Sequence, residues 1–310
     1  MNPAPSSTWF TTGPHWAWFI VLYFFIGGLA GGCYFLSALI DLFDRREDRP
    51  LARLGYYIAF PCVALSGLLL LADLGRPLRF WHMMIESNTY RPMFKYWSPM
   101  STGVWALLIF GLFTFLSFLA ALAEDDRIGW PALRTIGARW PALRRLRGPS
   151  ALGRVISVIG AIFGLYIAGY TGVLLAVTNR PIWSDTPLLG MLFVVSATST
   201  SGALMMLVAY RSGWRMPGLA DLHSMESWVI VLELLVLIAV LVSLGPVLTA
   251  WLNAWGVLLV IVIAFGLIWP LIQSWRARQP GQMNFARAAP LVLLGSFLLR
   301  LVIVFSSQAI

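Results

Sequence analysis

The chain has 310 residues, 59% of them hydrophobic and 11% charged, with a formal net charge of +9 that is almost wholly arginine. So apolar a chain is not a soluble domain with a hydrated surface, and arginines scattered among loops do not build a nucleic-acid-binding face. Cys33 and Cys62 lie in apolar runs and His15, His82 and His223 fall at separate loops or helix ends, so no disulfide framework, iron–sulfur cluster, bis-histidine haem or metal site is expected in this chain.

The sequence predicts an all-α, polytopic membrane protein: one integral membrane domain of eight transmembrane helices packed as helical bundles. The spans run at about 15–42, 52–73, 98–123, 152–177, 188–210, 222–244, 248–273 and 288–308. The first is free of charge from Trp16 to Ile40, long enough to cross roughly 30 Å of hydrocarbon. Met1 to Thr12 has no Lys or Arg, so this span is expected to remain rather than be removed as a signal peptide. Its Gly27, Gly28, Gly31 and Gly32 make two overlapping Gly-xxx-Gly spacings, which predict close helix packing and a central position. His15, between Pro14 and Trp16, sits at the interface end, either as part of an aromatic belt or leaning on a lipid-soluble molecule.

The second span ends in Asp73-Leu74-Gly75-Arg76-Pro77 and opens the longest outer loop, where Arg76 and Arg79 stand among Phe80, Trp81 and His82. That segment either lies along the membrane interface or docks a partner, as does Arg180 in a later loop on the same side. The third span leads into the loop from Glu124 to Ser150, which reads as a solvated, lipid-contacting connection. The fourth carries Tyr166 and Tyr170 one turn apart, then Asn179-Arg180-Pro181-Ile182-Trp183.

In the sixth span His223, Glu226 and Glu233 form one polar stripe, within about 80° around the helix. Glu233 lies roughly 16 Å deep and Arg300, in the eighth span, about 18 Å. A lone charge there costs at least about 2.5 kcal/mol, so the two are expected to pair directly or through water, as a structural ion pair or as part of a proton route. The boundary between the sixth and seventh spans is the least marked, with Gly245-Pro246 and Asn253 supplying a turn. Sixteen basic residues fall in loops on one side against Arg76, Arg79, Arg91, Lys95 and Arg180 on the other. By the positive-inside rule both termini are expected outside the cytoplasm, in a cytoplasmic (inner) membrane. That orientation brings His15, Asp73 and Tyr170 to the outer third of the bilayer, where they could exchange hydrogen bonds and protons with a quinol. Asp73 serves equally well as a turn-fixing carboxylate.

The ordered set Pro14-His15-Trp16, the Gly-Gly-Leu-Ala-Gly-Gly helix, Asp73-Leu74-Gly75-Arg76-Pro77, Pro99-Met100-Ser101, Gly169-Tyr170-Thr171-Gly172 and Asn179-Arg180-Pro181-Ile182-Trp183 resembles the NrfD family, the membrane subunits of polysulfide reductase-type complexes. The resemblance implies a haem-free site for a quinone, menaquinone or ubiquinone. It also implies electron exchange with an extracytoplasmic, ferredoxin-like four-cluster iron–sulfur subunit and a molybdopterin or cytochrome catalytic subunit. By position, His15 corresponds to the family's quinone-binding histidine and Tyr170, or Tyr166, to its quinone-facing tyrosine. Where the family has an asparagine near that histidine, this chain has Thr11, Thr12 and Gly13. The rival reading is a secondary transporter or ion-translocating unit, suggested by the Glu233 stripe and Arg300. Spans that read as continuous, with no convincing internal repeat, argue against it.

Overall fold

The computed structural model describes residues 16–43, 46–124, 141–147, 150–213, 217–276 and 284–309; His15 lies outside them. The long helices are α1 (Trp18–Phe43), α2 (Arg49–Asp73), α3 (Pro99–Glu124), α4 (Ala151–Ala176), α5 (Leu189–Arg211) and α6 (Pro217–Leu244). Two shorter helices, α7 (Ala254–Ile261) and α8 (Trp269–Arg276), flank the segment Val262–Ile268, and α9 (Asn284–Gln308) ends the fold. Among the described residues eight helical stretches are long and apolar enough to cross a membrane, α7 to α8 counting as one. Among the described residues the only β pairing is an isolated bridge, Ile85 to Pro92, in the loop before α3.

Each predicted span falls on one of these stretches, and the bounds differ most at the sixth and seventh. Gly245–Trp251 is a 3-10 segment that prolongs α6, with Pro246 at its start where no N–H is needed. The chain turns at Leu252 and Asn253, and Asn253 caps α7 by accepting the Trp255 N–H at 2.9 Å. The span stays helical from Ala254 to Arg276 but is irregular, because Val262–Ile268 is a π-helix. Pro270 follows it and lacks the N–H that would reach the carbonyl four residues back, so the regular ladder is interrupted at that point.

Helices α1 to α4 pack around one another, as do α5, α6, the α7–α8 span and α9, and the two groups meet where α1 and α4 lie on α5. The first helix is central, as its glycines predict. A β-carbon on Gly31 would overlap the Gly164 carbonyl of α4, and one on Gly32 would overlap Ser201 of α5. Small residues here let backbones approach without a side chain between them, which is how helices gain contact in lipid.

The inner loop departs from its sequence reading. Rather than a solvated connection throughout, its described end places Arg147 at 2% exposure. The guanidinium donates to both Asp41 oxygens at 2.7 and 2.8 Å, to Glu124 at 2.9 Å and to the Arg49 carbonyl at 2.9 Å, and sits over the Tyr56 ring. Burial opposes its charge, yet the Asp41 and Glu124 carboxylates more than offset that and hold it above the usual arginine value. Asp41 and Glu124 each stand just past the apolar part of a helix, so one arginine collects two carboxylates that close α1 and α3.

Candidate functional site

One cleft opens between the start of α3 and the end of α4, with a volume of about 300 Å³. Tyr96, Trp97, Pro99 and Thr102 form one wall; Tyr166, Gly169, Tyr170 and Val173 form the other. The first wall is fixed by its own turn: Ser101 Oγ accepts the Lys95 N–H at 3.0 Å, and Trp105 Nε1 reaches back to the Met93 carbonyl at 3.0 Å. On the second wall the Tyr166 and Tyr170 rings stack, centroids 5.8 Å apart and 18° from parallel. Tyr170 is buried while Tyr166 is 41% exposed. A β-carbon on Gly103 would overlap the Tyr170 phenol, so this glycine makes the space in which the ring lies. Neither hydroxyl has a hydrogen-bond partner among the described residues.

The residues singled out in the sequence separate into groups. Tyr166 and Tyr170 line the cleft, whereas Asp73 is exposed at the end of α2 and is not part of its lining. Trp16, the residue after His15, is held on both sides by one side chain: Gln308 Oε1 accepts its N–H at 3.0 Å and Gln308 Nε2 donates to its carbonyl at 3.2 Å. The Trp16 ring stacks on Trp183, whose indole donates to the Ile303 carbonyl at 2.7 Å. Arg76 and Arg79 are exposed in and beside the 3-10 segment Pro77–Met83. Arg180 is half-buried and turned toward α9, donating to the Ser307 carbonyl at 3.5 Å.

The stripe on α6 divides as well. His223 turns toward α8, 3.3 Å from Ser274 Oγ, which also meets Ser227. Glu226 and Glu233 turn toward α5. Ser199 donates to Glu226 Oε1 at 3.0 Å, while Glu226 Oε2 has no partner among the described residues and lies against Gly202. Glu233 faces Ser196, Ser199 and Arg300, and its Oε1 is likewise without a partner.

Arg300 does not pair directly with Glu233: no ion pair joins them among the described residues. Its guanidinium instead donates to the Phe24 carbonyl at 3.2 Å, Ser196 Oγ at 3.2 Å, and the Ser296 carbonyl at 3.0 Å and hydroxyl. The Phe193 carbonyl lies 3.4 Å away and the Phe193 ring beneath. Five neutral groups from three helices thus solvate the buried cation, which removes the need for a touching carboxylate.

The sequence reading missed Tyr96, Trp97, Thr102 and Gly103 around the cleft, and Ser196, Ser199 and Ser296 around the charges. The serines had a readable signal, since Ser196-Ala197-Thr198-Ser199-Thr200-Ser201-Gly202 is a run of small hydroxylated residues inside an apolar span.

The family model for polysulphide reductase, NrfD, matches residues 10–310 of this chain. Among curated relatives, Protein NrfD of Escherichia coli is 27% identical over 316 residues, covering 94% of this chain and 95% of that one. The C component of the Wolinella succinogenes polysulfide reductase is 26% identical over 240 residues, 74% of this chain and 70% of the relative. The C component of the Mesobacillus selenatarsenatis selenate reductase is 26% identical over 245 residues, 74% of this chain and 57% of the relative.

Proposed function

The chain belongs to the NrfD polysulphide reductase family of membrane subunits, and from that premise we propose that it is the quinone- and quinol-binding anchor of a respiratory reductase complex. The observation that carries this reading is the cleft of about 300 Å³ with two stacked tyrosines on its wall and unpartnered phenol hydroxyls. Its size and its lining, with four aromatic rings among nine residues, suit one quinone ring, and the exposed sides of Tyr166 and Val173 leave a way for an isoprenoid tail into the lipid. A bound quinol supplies two electrons and two protons. The Tyr170 hydroxyl hydrogen-bonds one quinone oxygen and orients the ring. His15 takes one proton on oxidation, or donates it on reduction, and the exposed carboxylate of Asp73 passes it to water.

The electrons go to or come from an extracytoplasmic iron–sulfur subunit, and through it a molybdopterin or cytochrome subunit. Relatives whose names mark them as one component of a polysulfide reductase and of a selenate reductase support an assembly of that kind. Exposed Arg76 and Arg79, with Arg180 nearer α9, are the cations offered to the partner. In this reading both termini face away from the cytoplasm, His223, Glu226, Glu233 and Arg300 are the candidates for a proton route, and the membrane is the cytoplasmic one. The π-helix of the seventh span joins the Glu233 stripe and Arg300 as a feature that favours a transporter, but all seven of its side chains are apolar or glycine, so it offers no polar site.

The test is quinol-dependent reduction of the partner's clusters in a reconstituted complex. His15→Ala protein that still assembles should lose about 10² to 10⁴ in rate. Wild-type rates in that variant would remove His15 from the site. Reporter fusions after Arg147 and at Ile310 check the orientation, and activity of the first outside the cytoplasm would invert it.

A further inference from the structure

The two carboxyls of α6 sit differently. Glu226 is anchored by Ser199, whereas Glu233 lies within hydrogen-bonding reach of both Ser196 and Ser199, with Arg300 nearby, and keeps one oxygen, Oε1, without a partner among the described residues. Beyond Glu233 the hydroxyl pair is closed: Ser196 and Ser296 are 3.0 Å apart and both contact Arg300. Toward the Asp221 end, a cleft of about 270 Å³ opens between α1 and α6, lined by Leu36, Leu222, Asp221 and Met225, the residue before Glu226, among others. The point where Gly202 would carry a β-carbon is 2.5 Å from Glu226 Oε2 and 3.8 Å from Leu36 Cδ1, so Gly202 neighbours both the buried carboxyl and a leucine of that cleft.

We propose that Glu233 is a swinging proton carrier between the Glu226–Ser199 pair and the Ser196–Ser296 pair, filled from the Asp221 end and stopped at Arg300. The idea rests on the proton-route part of the function proposed above and changes it, because the route is then a dead end rather than a through channel. Three observations combine. The unpartnered oxygens Glu226 Oε2 and Glu233 Oε1 are positions where a proton can be added without breaking a hydrogen bond. Ser199 can accept a proton from one carboxyl side and donate to the other, since a hydroxyl carries one donor and two lone pairs. Arg300 cannot join the relay: a guanidinium stays charged and accepts no hydrogen bond, and a fixed cation across a narrow route repels an excess proton. The transfer is balanced within the chain. A proton on Glu226 passes through the Ser199 hydroxyl to Glu233, Glu226 is left as carboxylate, and a proton from the Asp221 side restores it. His223, turned to Ser274, is outside this relay.

The experiment is passive proton flux into liposomes containing the full chain, driven by an imposed pH gradient; it needs neither quinol nor partner, so it fails or succeeds independently of the quinone reading. Wild-type vesicles should be tight, and Arg300→Gln should raise the flux on the order of tenfold, the factor given by about 1.36 kcal/mol of barrier. Adding Glu233→Gln to that variant should return the flux to the wild-type level. A wild-type protein that conducts, a folded Arg300→Gln protein that stays tight, or a leak indifferent to Glu233→Gln would each overturn the proposal. If Arg300→Gln does not fold, infrared difference spectra after a pH jump decide instead. A carboxyl band lost in Glu233→Gln should respond to pH and respond more slowly in Ser199→Ala; no response, or no slowing, overturns it.

Discussion

Among the described residues two arginines are buried, one at the end of the first helix group and one inside the second, and their surroundings are opposite. Arg147 is gripped by two carboxylates and a carbonyl. Arg300 is held by carbonyls and hydroxyls alone, with Glu233 near but not touching. A carboxylate in direct contact cancels the charge locally and fixes both partners; neutral groups solvate a cation and leave its field in place. The first arrangement fastens α1 and α3 to the loop. The second keeps a positive charge inside the helix bundle beside Glu233, with no carboxylate in contact to cancel it.

The largest effect that tests this contrast is expected at Arg147. Arg147→Met leaves Asp41 and Glu124 without their shared cation and should cost about 3 to 5 kcal/mol, the range for breaking one side of a buried pair. Thermal unfolding in detergent reads it; an unchanged midpoint would make the clasp incidental. The next effect is a coupling. A double-mutant cycle of Arg147→Met with Asp41→Asn should give an interaction near the upper end of the roughly 0.5 to 3 kcal/mol range for contacting residues. Arg300→Gln with Glu233→Gln should give one near the lower end. Equal couplings would mean that the two arginines are used alike.

The sequence made one side of this contrast legible and hid the other. Arg300 and Glu233 stood out as charges within apolar runs, and their shared depth followed from the helix rise. What it could not show was that Ser196 and Ser296 would supply the acceptors, because a serine in a span looks the same whether it bonds its own helix or a neighbour. Arg147 was hidden by position: six arginines in one loop read as solvated, and only the fold brings one of them under Asp41. The central first helix was readable from Gly31 and Gly32, which need no partner to be named before their spacing implies one. The π-helix at Val262–Ile268 was not, since Pro270 inside an apolar run is compatible with a kink, a π turn or neither. At the cleft, Tyr166 and Tyr170 followed from their one-turn spacing, but Tyr96 and Trp97 come from a loop whose path depends on the Trp105 and Ser101 contacts.

The smallest predicted effect extends the comparison to a third polar group. Like Glu233 Oε1 near Arg300, the Tyr170 hydroxyl has no partner among the described residues, yet its ring is held in place, stacked on Tyr166 and lying over Gly103. Tyr170→Phe keeps the ring and removes only the hydroxyl, so the unfolding midpoint should not move, because no protein hydrogen bond is broken. Quinone binding should weaken by the worth of one hydrogen bond, roughly 0.5 to 1.5 kcal/mol, which is about two- to tenfold in Kd. Gly103→Ala acts on the other part of the arrangement, pushing the ring itself, and should cost both binding and stability, about 1 to 3 kcal/mol of the latter. Titration of each purified variant with a short-chain quinone, beside its unfolding curve, separates the cases. A Tyr170→Phe protein that binds as tightly as wild type but melts earlier would make the hydroxyl a structural group and take the cleft's buried tyrosine donor away from the quinone.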